Sequence, residues 1–186
     1  MSPTNVQQFF PSQTVLHRPS PKAWIPVFLG LAVLCFESTP MMGGSNTGKW
    51  LSDIWPHTLA RMSPAAFGVV HHLLRKLGHF TGYGTLGLLL RKACHNSVRI
   101  YLKIVGAQLT LAAFALSVSF TFLFGCLDEW HQSILPGRSS TGRDVLIDTG
   151  GALFFNAVFW IIRTRRRRSL RADTRRALTA SRTVAA

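Results

Sequence analysis

Acidic residues are scarce in this sequence, which has seven aspartates and glutamates against 21 lysines and arginines. Cysteine is also scarce: its three residues are scattered without a CxxC pair, which excludes a disulfide framework and a structural zinc site. Charge of either sign is absent from Ile104 to Leu127. This composition differs from that of an ordinary soluble domain, in which about a quarter of the residues are charged.

Apolar runs take the place of the missing charge. They cover Ala23–Phe36, Leu77–Leu90, Ile104–Leu127 and Val145–Ile162, with only His79 and Asp148 as ionisable interruptions. A helix needs roughly 20 mostly apolar residues to cross a bilayer core of about 30 Å. Ile104–Leu127 meets this requirement alone, and the other runs meet it if their polar ends reach the headgroups or face protein. Because so short a chain could not cover four such helices in a soluble core, the sequence predicts an all-α, four-helix transmembrane bundle.

The predicted organisation has three parts. Residues 1–21 are rich in Pro, Ser, Thr and Gln and are expected to be disordered, residues 22–163 form the membrane domain, and residues 164–186 form a basic cytoplasmic tail. The spans are predicted from about Lys22 to Phe36, Pro64 to Leu90, Leu102 to Leu127 and Asp144 to Ile162. Between the first two spans, KWLSDIWPHTLARM spaces its apolar residues at near-helical intervals, which favours a short interfacial helix, although a loop fits almost as well.

The first apolar run, with its basic flank, also has the order of a secretory signal. No small-residue cleavage site follows it, and Glu37 closes the run, so a membrane helix is the preferred interpretation.

The positive charge is concentrated at the C-terminal end, where nine arginines from Arg163 onward accompany only Asp173. No aromatic residues interleave these arginines, so nucleic-acid binding is not expected. Fifteen lysines and arginines lie on the flanks that share a side with the termini, and four lie on the opposite flanks. The positive-inside rule therefore predicts a cell-membrane protein with both termini in the cytoplasm. The segment DEWHQ then faces outward.

The scarce acids gather in one stretch, DEWHQSILPGRSSTGRDVLIDTG, which holds four of the seven. Ionisable groups within a bilayer are costly and almost always face a bundle interior, paired or solvated. Helical spacing places Lys76, His79 and Tyr83 on one stripe, and the predicted topology brings that stripe to the outward ends of the third and fourth helices. The predicted ligand-binding residues are Lys76, His79, Tyr83, Asp128, Glu129, His131, Gln132, Arg138, Asp144 and Asp148.

The stretches RKLGHFTGYGTLGLLL and DEWHQSILPGRSSTGRDVLIDTGGAL resemble the VanZ-like family, small multi-pass bacterial membrane proteins named for a member associated with teicoplanin resistance. The resemblance covers roughly residues 22–162 and implies a four-helix membrane domain with a role at the cell envelope. Family members often carry Glu before the tyrosine of the second span, where this chain has Gly82. In this chain either another acidic residue supplies that carboxylate, or the function of the carboxylate is absent.

Three functions of the outward site are compared. In the first, the charges only tie helix ends together. In the second, which is preferred, Lys76, Arg138 and Arg143 hold the anionic head of an envelope lipid or lipid-linked wall precursor and thereby influence glycopeptide susceptibility. The third is an enzyme acting on lipid phosphates, whose candidate catalytic residues are His79, Asp128, Glu129, His131 and Asp144.

The enzyme hypothesis has the weaker sequence support. The spacing matches neither an HExxH metalloprotease motif nor a Gly-x-Ser-x-Gly nucleophile elbow. No cofactor and no metal site is expected from the sequence, and membrane lipids or a lipid-linked precursor are the expected partners. The oligomeric state stays open.

Overall fold

The computed structural model describes residues 21–59, 61–136 and 140–184, and these residues are helical with no strand. The helices are α1 (Ile25–Glu37), α2 (Gly44–Ile54), α3 (Pro56–Leu59), α4 (Pro64–Tyr101), α5 (Gly106–Ser133) and α6 (Gly142–Val184). Short 3₁₀ turns at Pro21–Ala23 and Pro40–Met42 precede and follow α1. Residues 1–20 of the predicted disordered segment, and Arg138, lie outside the described residues.

The starts of α1 and α4 follow from local sequence. Proline stands at the beginning of both helices, where its missing N–H is not needed. Ser63 caps α4 by accepting a hydrogen bond from the Ala66 amide at 3.3 Å. Between α4 and α5 the backbone reverses through Lys103 and Gly106, which adopt positive φ angles of 53° and 69°.

Two helices are longer than the sequence predicted. Helix α4 continues past Leu90 to Tyr101, and α6 continues through the arginine run to Val184. Neither extension contains glycine or proline, and arginine, lysine and alanine are good helix formers, so nothing in these segments stops the helix. Helix α5 begins at Gly106 rather than Leu102 and continues to Ser133, which places Asp128 and Gln132 on one helical face.

Two helices are long and apolar enough to cross a membrane, α5 over Gly106–Ser133 and α6 over Gly142–Thr174. Helix α1 has only 13 residues, about 20 Å of helix, and α4 carries four basic side chains between Arg75 and Lys92. Length and composition therefore support two membrane-crossing helices directly. The segment predicted as one short helix, residues 49–62, is helical in part: α2 begins earlier, at Gly44, and ends at Ile54, and the short helix α3 follows at Pro56–Leu59.

Helices α4, α5 and α6 pack against one another, and α1 lies against α4. The buried apolar cluster is built from α1 and α4, and it consists of Val27, Leu34, Tyr83, Leu86, Leu90 and Ala93. Polar residues occupy the interface with the other two helices, where Thr121, Asp148 and Asn156 are fully buried. The core is thus apolar between α1 and α4, whereas α5 and α6 bury polar residues alongside apolar ones such as Leu109, Ala113, Val145 and Ala152.

Glycines allow α4 and α6 to approach closely. A Cβ atom at Gly151 would lie 2.1 Å from the Phe80 carbonyl oxygen, and one at Gly87 would lie 2.8 Å from the Ala152 Cβ. No other residue fits at so short a backbone separation. Gly78, which the sequence groups with Gly82 in a GxxxG ridge, has no neighbour within 4 Å, so the close contact lies on a different face of α4.

The neighbouring glycines of α6 offer a matched test of this packing. We expect Gly151→Ala to destabilise the protein by about 3 kcal/mol, at the upper end of the range for overpacking, because the added methyl group meets backbone. Gly150→Ala, whose Cβ would have no neighbour within 4 Å, should leave stability unchanged or slightly raised, since alanine favours helix. Thermal unfolding of the detergent-solubilised proteins measures the difference. Equal losses in both variants would show that the α4–α6 contact is looser than described.

Candidate functional site

A set of polar side chains, called here the polar cluster, lies where the C-terminal ends of α1 and α5 meet α4 and the N-terminal part of α6. Its members are Glu37, Ser38, Lys76, His79, Tyr83, Asp128, Glu129, Gln132, Asp144 and Asp148. Eight of these ten, all except Glu37 and Ser38, were predicted from the sequence as ligand-binding residues. Four helices contribute, so the cluster depends on the assembled fold.

Asp128 is held from two sides. The Ser38 hydroxyl donates to its Oδ1 atom, and the Gln132 side-chain amide donates to its Oδ2 atom at 2.9 Å. The same amide also donates to the Ser38 oxygen at 3.3 Å. Gln132 is buried, and its position one turn after Asp128 follows from the continuation of α5 beyond the apolar run. This triad fixes the orientation of the Asp128 carboxylate and ties α1 to α5.

Lys76 of α4 forms an ion pair with the Oδ1 atom of Asp144. The Asp144 side chain is 9% exposed and the Lys76 side chain 27%. Asp144 lies in the first turn of α6, where a negative charge also interacts favourably with the helix dipole. The pair therefore links α4 to the start of α6 and neutralises both charges.

Glu129 supports the start of the same helix. Its Oε2 atom accepts a hydrogen bond from the Thr141 amide at 2.7 Å, just before α6 begins. The first amides of a helix have no partner within the helix, so a carboxylate at this point satisfies one of them. Glu129 is buried and belongs to α5, and its role in the described residues is to join the two helices.

Asp148 occupies the centre of the polar cluster. It is fully buried, and neither of its carboxylate oxygens has a hydrogen-bond partner among the described residues. Its Oδ1 atom lies 3.4 Å from the Nδ1 atom of His79, whose ring stacks on Tyr83 at a centroid distance of 6.2 Å. Gly125 leaves room for the carboxylate, since a Cβ there would lie 3.5 Å from Oδ2.

Three potential metal-ligand atoms converge at this centre. One atom each from His79, Asp128 and Asp148 lies within 4.8 Å of the other two. The residues come from α4, α5 and α6, which explains why no sequence spacing indicated such a group. The arrangement brings together one imidazole nitrogen and two carboxylate oxygens.

Gly82 of α4 faces the C-terminal end of α1. A Cβ atom there would lie 3.0 Å from Leu34 Cδ2 and 4.0 Å from Glu37 Oε2. A side chain at residue 82 would thus extend into space that the end of α1 borders. The Glu37 carboxylate reaches this space, so an acid from a different helix stands beside the glycine.

One predicted site residue, His131, is not brought into the cluster. His131 is exposed, and its side chain has no hydrogen bond or ion pair with the described residues of the cluster. It directly precedes the buried Gln132 and points to another side of α5. Arg138 lies outside the described residues, and Arg143 is exposed beside Asp144.

The sequence analysis left Ser38 out and treated Glu37 only as the residue that closes the first apolar run. A signal for both was present, because they follow the last apolar residue of α1, at the same helix end where the other ionisable groups were expected to meet. Ser38 is buried with 2% exposure, which is unusual for a serine after a helix end.

The opposite end of the bundle is basic. The Arg91 guanidinium lies over the Phe159 ring at 4.4 Å, and a cavity of about 610 Å³ is lined there by Arg91, His95, Arg99, Arg163 and Arg167, together with less polar residues. Fifteen residues separate Asp148 from Arg163 on α6, about 22 Å along the helix axis. The acids and the arginines therefore occupy opposite ends of the same helices.

An all-helical fold with two membrane-length apolar helices around a buried polar cluster is typical of helical membrane proteins. The chain belongs to the VanZ/LLP1 family, whose model matches residues 8–163. This match confirms the resemblance seen in the sequence. Comparisons with curated proteins and with solved structures gave no significant match.

The Lys76–Asp144 pair allows a test of the cluster's structural part. Either single reversal, Lys76→Asp or Asp144→Lys, leaves two like charges together in a partly buried place and should cost about 1–3 kcal/mol, less than in a fully buried pair. The double reversal should recover most of that loss. Thermal unfolding in detergent and membrane abundance measure the effect, and a double variant no better than the worse single one would contradict the pairing.

Proposed function

We propose that this VanZ-family protein crosses the cell membrane four times, with both termini in the cytoplasm and the polar cluster opening outward. Large apolar side chains are exposed on all four long helices, among them Leu29, Leu73, Leu111, Phe122 and Phe154. Exposed apolar surface of this extent indicates contact with lipid. The arginine-rich end of α6 fits the anionic cytoplasmic leaflet.

The polar cluster, on this proposal, binds the head of an anionic envelope lipid or a lipid-linked wall precursor. One observation carries the argument: the Asp148 carboxylate is fully buried and has no hydrogen-bond partner among the described residues. A network that only ties helices together satisfies its members, as the Lys76–Asp144 pair does. An unsatisfied carboxylate costs stability and is retained where a ligand, ion or water completes it.

The distribution of the other charges agrees with a ligand that approaches from the outer end. Lys76 retains partial exposure beside Asp144, and the neighbouring Arg143 is exposed at the N-terminal end of α6. A helix N-terminus and basic side chains both attract phosphate groups. Occupation of this site by a wall precursor would change its availability to glycopeptides, which is the proposed link to glycopeptide susceptibility.

An enzyme acting on lipid phosphates is the second candidate, and the contact between His79 and Asp148 favours it. An imidazole with an orienting carboxylate is a common general base. Glu129 and Asp144 of the predicted catalytic set instead bond to an amide and to Lys76, so they are engaged in structural contacts. Release of phosphate from a lipid-linked precursor by the purified protein would decide for the enzyme.

The binding proposal is tested with isosteric variants that remove charge and keep shape. We expect Asp148→Asn and Asp128→Asn to lower teicoplanin tolerance of cells and to weaken binding of a lipid-linked wall precursor at least about tenfold, equal to 1.4 kcal/mol, because a neutral amide holds the hydrogen-bond donors or the cation that complete the site less strongly than a carboxylate does. Native mass spectrometry of the purified proteins measures the binding, with membrane levels held equal in the cell assay. Asp173→Asn, an exposed acid at the basic end, is the matched control.

If tolerance follows only the amount of protein in the membrane across all variants, and precursor binding is unchanged, the cluster is a structural network and the binding proposal is wrong.

A further inference from the structure

The centre of the polar cluster has more negative charge than its neighbours neutralise. Asp144 is paired with Lys76, and Glu129 accepts from a backbone amide. Among the described residues, Asp128 and Asp148 remain beside one imidazole, that of His79. Buried carboxylates are stable when they are paired or when they coordinate a metal ion. A direct contact between these acids and an anionic lipid head would be repulsive.

The arrangement of the three side chains fits a metal ion. Their ligand-type atoms lie within 4.8 Å of one another, and a metal with bonds of about 2.0–2.2 Å needs its ligands to close by roughly 1 Å. Asp148 contributes one of these atoms and is completely buried, and neither of its oxygens has a hydrogen-bond partner among the described residues. This buried, unsatisfied carboxylate is an observation separate from the clustering of the acids.

The surroundings have the features of an outer ligand shell. Ser38 and Gln132 hold both oxygens of Asp128, and metal-bound carboxylates are commonly oriented in this way. Tyr83 stacks on the His79 ring and limits its rotation. Two of the three candidate ligands are thus held in place by neighbours, and Asp148 contacts His79 but has no hydrogen-bond partner among the described residues.

We propose that His79, Asp128 and Asp148 bind one divalent transition-metal ion, Zn²⁺ or Mn²⁺. An imidazole nitrogen together with carboxylate oxygens suits these ions, whereas Ca²⁺ and Mg²⁺ prefer sites made of oxygen alone. Two aspartates and a neutral histidine balance the charge of the ion. Three protein ligands leave coordination positions open for a further oxygen atom.

The metal ion also explains how an acidic cluster can receive an anionic ligand. It removes the repulsion of Asp128 and Asp148, and a phosphate oxygen of the lipid head occupies an open coordination position. This last step rests on the proposed function, whereas metal binding stands on the geometry of the three side chains alone.

The first experiment measures metal binding without lipid. The full-length protein is purified in detergent with a tag that contains no histidine, stripped with a chelator, dialysed against Zn²⁺ or Mn²⁺, and analysed for bound metal. We expect one ion per chain in the wild type and in Asp173→Asn, and at least tenfold weaker binding in His79→Gln and Asp148→Asn. Gln132→Ala should weaken binding by about 10–100-fold, as changes in an outer shell do.

Absence of stoichiometric metal in the wild type overturns the proposal, and so does binding that is unchanged in His79→Gln and Asp148→Asn. Should these variants fail to fold, zinc X-ray absorption of the wild type gives an independent answer. We expect one nitrogen and at least two oxygen ligands at about 2.0–2.2 Å. A coordination sphere containing sulfur or several imidazoles would show that the ion binds elsewhere in the protein and would contradict the proposed site.

The second experiment separates the metal from the proposed function. Binding is measured for three ligands: a lipid-linked precursor, a lipid of the same chain length without phosphate, and inorganic phosphate. Each is tested with the metal-loaded protein and again after chelation. Metal binding without precursor binding upholds the site and contradicts the proposed function. Precursor binding that survives chelation upholds the function and contradicts the bridging role of the ion. Binding of inorganic phosphate alone would contradict recognition of a lipid.

Discussion

The burial of the Asp148 carboxylate is the constraint on which the rest of the structure depends. A charged group between helices is tolerated only where polar partners surround it, and Asp148 can have them only if three helices meet at one level. His79 lies 3.4 Å away on α4, and Asp128 approaches from α5. The contacts of Lys76 with Asp144 and of Glu129 with Thr141 hold the same helices in the register that this meeting requires.

Close helix packing makes the polar centre possible. Gly151 brings α6 against the backbone of α4 near Phe80, and Gly125 opens space on α5 for the Asp148 side chain. Small residues therefore act on both sides of the carboxylate. At one contact they shorten the distance between helices, and at the other they leave room for a buried polar group.

Much of this arrangement could be predicted from the sequence, because apolar runs and helical spacing are properties of single helices. The all-helical fold and the stripe through Lys76, His79 and Tyr83 are of this kind. Pairing between helices was beyond prediction. It depends on how each helix is rotated about its axis, and that rotation is set by contacts such as that of Gly151 with Phe80.

Two differences from expectation have the same origin. His131 is of the right residue type for the site, yet it is exposed because it lies about 100° around α5 from the buried Gln132. Glu37 enters the space beside Gly82 because α1 packs there, which no spacing within the second span could reveal. Residue type and sequence position thus located the site, and the packing of helices selected its members.

In the proposed topology the polar cluster opens on the outer side of the membrane, opposite the arginine-rich end of α6. Labelling of single cysteines tests this orientation. Cys35, Cys94 and Cys126 are first replaced by alanine, and one cysteine is then introduced at an exposed position, either His131 or Arg168. Intact spheroplasts are treated with a membrane-impermeant maleimide. The proposed topology predicts that the cysteine at residue 131 reacts in intact spheroplasts and that the cysteine at residue 168 reacts only after permeabilisation. Reaction at residue 131 from the cytoplasmic side alone would contradict it.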